Sequence, residues 1–367
     1  MRKEVISSKQ LVSLIVLFEL GTALVVPVGL ESGHAVWLSI LLALPGGVVL
    51  YLIYAHLYRQ FPNLILSGLM QKILGKWIGW TISLLYVPFF MFSGSRNLAE
   101  AGYLLLAASY DKTPILIINA IMIVAVVYVL SKGIEVFART AEIYFLVIVV
   151  IGVISNSIII ASGLMDFQNL FPLNIKDLKE ALASAYPNIW MFPFGELMLV
   201  TTILPFLGKG QSARNSGLAA LILSALLLSF THAIEMSVLG EEIYQRTNFP
   251  LFTTISLVNV ADFIQRLDAF VILDLIICIF FKVTVYCYAA MVVAADLFKV
   301  KEPRKLAVPV GVVMLLISLI STESYTRHLE EGRVVQQYIL TTVCAVIPSI
   351  LFVTHWIRKR FGLYRLK

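Results

Sequence analysis

The chain has 367 residues, 59% hydrophobic and 14% charged, with a mean hydropathy of +0.90. Soluble domains carry roughly 25% charged residues, so this much apolar surface needs a bilayer as its solvent. The net charge of +6 then belongs to basic loops on one membrane face, and no nucleic-acid partner is expected. A spanning helix needs about 20 apolar residues, and ten stretches qualify: 10–30, 35–57, 78–109, 114–130, 143–162, 183–207, 216–239, 268–297, 307–321 and 338–357. The expected fold class is an all-α polytopic membrane protein, a single integral domain over 1–367 in contact with membrane lipid. Five stretches fall in each half, about 9–162 and about 183–357. An odd number per half makes the halves enter from opposite sides, which is the geometry of an inverted repeat.

Segment one carries Glu19, Gly21 and Thr22 at its centre. A charge at that depth costs at least ~2.5 kcal/mol, so Glu19 faces protein or water. Two readings stand: a helix break at Gly21 whose freed backbone groups meet a solute, or a glycine that lets two helices pack closely. Residues 63–75 are too short to span and fit a helix lying on the membrane surface. Segment three holds Ser93 and Gly94, small enough to line a cavity. Arg96 and Glu100 follow one helical turn apart, where either an i,i+4 pair satisfies both charges or they meet the ligand directly. Residues 133–142, with Glu135 and Arg139, form a charged joint between segments four and five, either a solvated loop or a gate or docking surface.

Segment six centres on Pro193, Phe194, Gly195 and Glu196. Proline removes a backbone donor and glycine adds freedom, so a break or a kink is expected there. Segments one and six are equivalent positions in a five-plus-five repeat, and both place glycine beside glutamate at mid-depth. That correspondence points to a solute site between them. Residues 251–258 suggest a second surface helix. In segment eight, Lys282 lies at the midpoint with Tyr286 one turn further on the same face. So deep a lysine must pair, lose its proton or touch water, and Glu19 and Glu196 are both candidate partners.

No enzyme signature stands out. The five histidines are scattered, with no HExxH pair, and neither a G-x-S-x-G elbow nor a Walker loop occurs. Cys278, Cys287 and Cys344 lie in apolar runs without metal spacing. No metal or other cofactor is expected. Nineteen lysines and arginines fall on the face that carries both termini and seven on the other. By the positive-inside rule, both termini are then cytoplasmic.

Several short motifs occur in order along the whole chain: Leu74-Gly75-Lys76-Trp77-Ile78-Gly79, Lys112-Thr113-Pro114, the 133–142 joint and Phe194-Gly195-Glu196. Through them the chain resembles the B subunits of bacterial spore germinant receptors, the GerAB/GerKB type. The resemblance implies the amino acid–polyamine–organocation superfamily and a LeuT-like fold with broken helices one and six. It implies a subunit that recognises a small germinant, such as an amino acid, sugar or nucleoside, beside a larger A subunit and a lipoprotein C subunit. It also implies the inner membrane of the endospore. An active secondary transporter of similar solutes is the alternative. The ligand-binding set expected from residues and resemblance together is Glu19, Gly21, Thr22, Ser93, Gly94, Phe194, Gly195, Glu196, Lys282 and Tyr286. Arg96, Glu100, Pro193, Glu135 and Arg139 take structural or gating roles. The resemblance also sets Lys282 where many LeuT-like transporters bind sodium, as a built-in cation. Gly21-Thr22-Ala23 departs from the Gly-x-Gly pattern common in relatives, a less permissive break that implies either a narrower pocket or a different ligand.

Overall fold

A computed structural model describes residues 4–108, 110–258, 267–320 and 325–362. Helix α1 (Ser8–Leu20) opens with Ser7 and Gln10 bonding each other's backbone N–H groups in a capping box. It stops at Gly21, and a short 3₁₀ turn (Thr22–Leu24) and an extended stretch carry the chain onward. Helix α2 (Val36–Gln60) returns, and the short amphipathic α3 (Leu66–Leu74) lies where the surface helix was expected. Then follow α4 (Lys76–Ala108), α5 (Ile115–Lys132), α6 (Ile134–Ala161) and the short α7 (Ile175–Ser184). Segment six is irregular: a π turn (Ala185–Ile189), then 3₁₀ stretches over Phe194–Thr202 and Leu204–Phe206. The rest is α8 (Ala213–Arg246), α9 (Pro250–Ser256), α10 (Leu267–Leu297), α11 (Ala307–Ile320), α12 (Tyr325–Val334) and α13 (Ile347–Arg360), the last two joined through π turns.

Among the described residues the chain passes ten times between two ends. Eight passes are helices long and apolar enough to cross a membrane; segments one and six, which fall outside that set, are the broken ones. Both described termini lie at one end, where Glu4 pairs with Arg304, Lys359 bonds Gln60 and Ser67 bonds Asp296. The described basic residues assigned to the terminus-bearing face sit at that end. Arg2, Lys3 and Arg266, together with Arg365 and Lys367, lie outside the described residues. The outward faces of α5 and α6 expose Ile121, Val124, Ile143, Leu146, Val150 and Val153. Such a surface is stable against lipid tails, not against water.

Packing divides the bundle. Segments one, two and seven (α1, α2 and α8) pack together, while α10 lies along α4, which also meets α11. Glycines set the closest approaches: a Cβ at Gly217 would enter the Tyr51 ring, and one at Gly79 would strike the backbone of Gln71.

Two local expectations are corrected. The 133–142 stretch is not a loop. Gly133, at φ 98°, ends α5 and starts α6, and Glu135 and Arg139 occupy the first turns of α6. Segment ten starts well before 338, because Tyr325–Val334 is helical despite its charges.

Candidate functional site

Segment one breaks where Lys282 needs room. A Cβ on Gly21 would meet Lys282 Cδ, and would lie 2.8 Å from the backbone oxygen of Phe18. Lys282 is fully buried. Its Nζ lies 2.5 Å from Glu196 Oε2, in ion-pair contact, and stands over the rings of Phe192 at 4.4 Å and Phe18 at 5.2 Å. Those faces attract a cation where water is excluded. Tyr286, one turn along α10, donates to Glu196 Oε1 at 2.5 Å. Of the two candidate acids, the structure therefore pairs Lys282 with Glu196. Glu19 is buried within electrostatic range of both, and its carboxyl oxygens have no hydrogen-bond partner among the described residues.

Above this ion pair lies a cavity of about 440 Å³ between segments one, three, six and ten. Near its floor are Glu196, Phe192, Thr22 and Ser93. Thr22 Oγ1 donates to Asn97 Oδ1 at 2.9 Å, and Asn97 Nδ2 donates to Ser93 O at 2.7 Å. This ladder fixes the broken end of segment one against segment three. Ser93 Oγ is buried with no hydrogen-bond partner among the described residues. Toward the mouth, Gln336 donates to Asn188 O at 2.8 Å and Asn188 donates to Glu31 at 3.1 Å.

The expected Arg96–Glu100 ion pair does not form among the described residues. His328 of α12 enters between them instead. Arg96 Nη2 donates to His328 O at 2.5 Å, and His328 Nε2 lies 3.2 Å from Glu100 Oε1. Glu331 Oε2 stands 3.9 Å from Arg96 Nη1. A partner brought in by the fold displaces the local i,i+4 contact, and both charges come to line the cavity.

The remaining expected site residues stand behind the wall. Gly94 admits Tyr286, whose Cβ would lie 2.8 Å from a Cβ there. Phe194 fills the space over Gly47, and the Gly195 carbonyl accepts from Tyr54 at 3.2 Å. Pro193 closes the turn before the 3₁₀ stretch. Glu135 and Arg139 pair with each other at 2.5 Å on the surface, at the terminus-bearing end. Asn97, Asn188, Phe192 and Gln336 line the cavity without having been singled out in the sequence. Asn97 completes the polar run begun by Ser93, which was the available signal. Gln336 lies just before the expected start of segment ten.

The family described as spore germination protein matches residues 5–326. Spore germination protein KB of Bacillus subtilis (strain 168) is 37% identical over 362 residues, covering 98% of this chain and 97% of its own. The chain belongs to the spore germination protein family. Within it, the YndE protein of the same organism is 22% identical over 88% of each chain, and GerQB of Bacillus cereus 21% over 65% of each. Two solved structures share this family member's fold. MhsT in complex with L-phenylalanine superposes with a TM-score of 0.67 at 13% identity, over 96% of this chain and 89% of that one. Mhp1, a nucleobase-cation-symport-1 transporter closed around bromovinylhydantoin, gives 0.68 at 12%, over 100% and 82%. The fold is the LeuT-like five-plus-five inverted repeat, and the chain is an integral multi-pass membrane protein.

Proposed function

We propose that this spore germination protein is the germinant-recognition subunit of a spore receptor, and that its solute sits in the cavity between segments one, three, six and ten. The observation that carries the reading is the cavity at the two helix breaks, lined by Glu196, Thr22, Asn97, Ser93 and Arg96. Its volume of about 440 Å³ lies within the range of small-molecule sites and suits an amino acid, sugar or nucleoside. Thr22, Ser93 and Glu196 are the expected ligand-binding residues that reach this space. Lys282 and Tyr286 act from below by orienting the Glu196 carboxylate, and Gly21 and Gly94 leave room for them. The ammonium of Lys282 supplies a fixed positive charge beside the break.

The subunit works with a larger A subunit and a lipoprotein C subunit in the inner membrane of the endospore, with both termini on the core side. The kinship with Spore germination protein KB supports this assignment. Spores carrying Asn97→Leu test the site. The larger apolar side chain removes the bond to Thr22 and fills part of the cavity, so the germinant concentration for half-maximal response should rise about tenfold or more at unchanged protein abundance. An unchanged dose response sinks this placement. The transporter reading is separated by uptake of the same solute into proteoliposomes, which a receptor without turnover does not support.

A further inference from the structure

Segment seven carries a buried polar group outside the solute cavity. His232, Glu235 and Tyr244 are 0%, 0% and 1% exposed. His232 Nε2 lies 3.1 Å from Ala23 O. Its Nδ1 lies 2.8 Å from Glu235 Oε2 and 2.9 Å from the Tyr244 hydroxyl. Tyr244 donates to Val28 O at 3.2 Å. Ala23 and Val28 both belong to the unwound half of segment one, and Val28 lines the cavity. A straight helix would separate His232 and Tyr244 by about 18 Å along its axis. Gly240, at φ 66° and ψ 170°, turns the chain back so that they meet, a conformation that favours glycine.

Counting hydrogens limits what the group holds. A carbonyl oxygen only accepts, so Nε2 carries a hydrogen toward Ala23. With the single tyrosine hydrogen on Val28 O at 3.2 Å, the Tyr244 oxygen is an acceptor toward Nδ1. An ionised Glu235 accepts only. Without a proton, Nδ1 would face two acceptors, lone pair against lone pair. A proton on Nδ1 makes the ring a cation and turns its 2.8 Å contact with the Glu235 carboxylate into an attraction of opposite charges.

We propose that the His232–Glu235 pair is a proton-binding site, and that its proton latches the unwound half of segment one to segment seven. On release the N–H bond breaks, its electron pair stays on the imidazole and the proton passes to water. The carboxylate then faces the ring's lone pair in a dry site, where repulsion is strong. The ring turns, Ala23 O loses its donor and segment one comes away at the cavity wall.

None of the titratable groups on the elements packed against α8 bonds to this group among the described residues. Glu31 bonds Asn188, and His34 pairs with Asp177 and Glu241. Tyr51 donates to Ala213 O, and Tyr54 to the carbonyls of Gly195 and Cys344. Lys9 and Glu19 of α1, His56, Tyr58 and Arg59 of α2, Asp166, and Arg214, Glu241, Glu242 and Arg246 of α8 make no bond to the group among the described residues. Helix α9 carries no titratable side chain.

The link to solute binding rests on the cavity reading above, but the test follows segment one alone. Val26 is 7% exposed and lines the cavity. The full chain, with its three cysteines replaced by alanine and Val26→Cys added, is placed in phosphatidylglycerol–phosphatidylethanolamine nanodiscs. Labelling by a membrane-impermeant thiol reagent is normalised at each pH to the denatured chain. Between about pH 5 and about pH 10, a range spanning ordinary imidazole titration, the normalised rate should rise about tenfold or more. Glu235→Gln offers Nδ1 an amide hydrogen at every pH, so its rate stays low throughout. His232→Gln keeps a donor for Ala23 O without titrating and carries the same expectation should Glu235→Gln fail to fold. A flat rate in the otherwise unaltered chain, or the same rise in a folded Gln variant, overturns the proposal.

Discussion

Lys282 and Glu196 are each costly to bury alone, and each makes the other tolerable. The pair is closed by ring faces, by Tyr286 and by the 2.5 Å contact between the charges, so removing one partner leaves an uncompensated charge. Lys282→Ala should therefore lower stability by roughly 3–5 kcal/mol, seen as loss of monodisperse protein in fluorescence-detected size-exclusion chromatography. Lys282→Met combined with Glu196→Gln removes both charges and should recover most of the yield. A double variant as poor as the alanine single would show that the cost lies elsewhere. The two glycines at the breaks should differ in the same assay. At Gly21 a new Cβ meets the Phe18 backbone oxygen, which cannot give way, whereas at Gly195 it meets the flexible end of Met191 at 2.9 Å. Gly21→Ala should thus cost about 1–3 kcal/mol in overpacking and Gly195→Ala distinctly less. Equal thermal shifts in the two variants would contradict this ranking.

The two broken helices were legible because glycine and proline inside an apolar run are local signals, and backbone freed by them shows in the sequence itself. The outer half of segment ten was not. Tyr325–Val334 is too charged to look like a span, and contacts distant in sequence hold it in place: His328 touches Arg96 and Glu100, and Tyr325 packs on Tyr103. The same contact overrode the i,i+4 rule for Arg96 and Glu100. Asn97 went unmarked because the polar run that Ser93 begins does not by itself tell a cavity asparagine from a packed one. If α12 is held by His328, then His328→Ala should loosen this element and leave the bundle intact. Loss of a hydrogen bond worth about 1.5 kcal/mol raises local opening roughly tenfold. Hydrogen exchange read by mass spectrometry should show that increase over 325–334, with α4 and α10 unchanged. Uniform acceleration across the bundle would mean that His328 supports the whole fold instead.

Across the molecule, the cavity mouth and the termini lie at opposite ends, and the basic residues gather at the terminus-bearing end. In the proposed orientation, with the termini on the core side, a germinant would enter from the outer face and any signal would leave through the charged inner one. The terminus-bearing end is tied together: Glu4 pairs with Arg304, both crowd Gly133, and α6 begins there. Glu135 and Arg139 stand on its surface, paired at 2.5 Å and partly or fully exposed. Exposed pairs of this kind contribute at most about 1 kcal/mol to folding, so exchanging their charges leaves the helix intact while reversing the local field. The double substitution Glu135→Arg with Arg139→Glu keeps an i,i+4 pair of opposite order. If this face receives the A subunit, the exchange should cut co-purification of A severalfold, because like charges now meet across the contact. Abundance of the substituted chain in the membrane serves as the control for folding. Recovery of A at the original level, from equally abundant protein, would exclude this surface and leave the 299–305 loop as the charged face still to be tested by the same reversal.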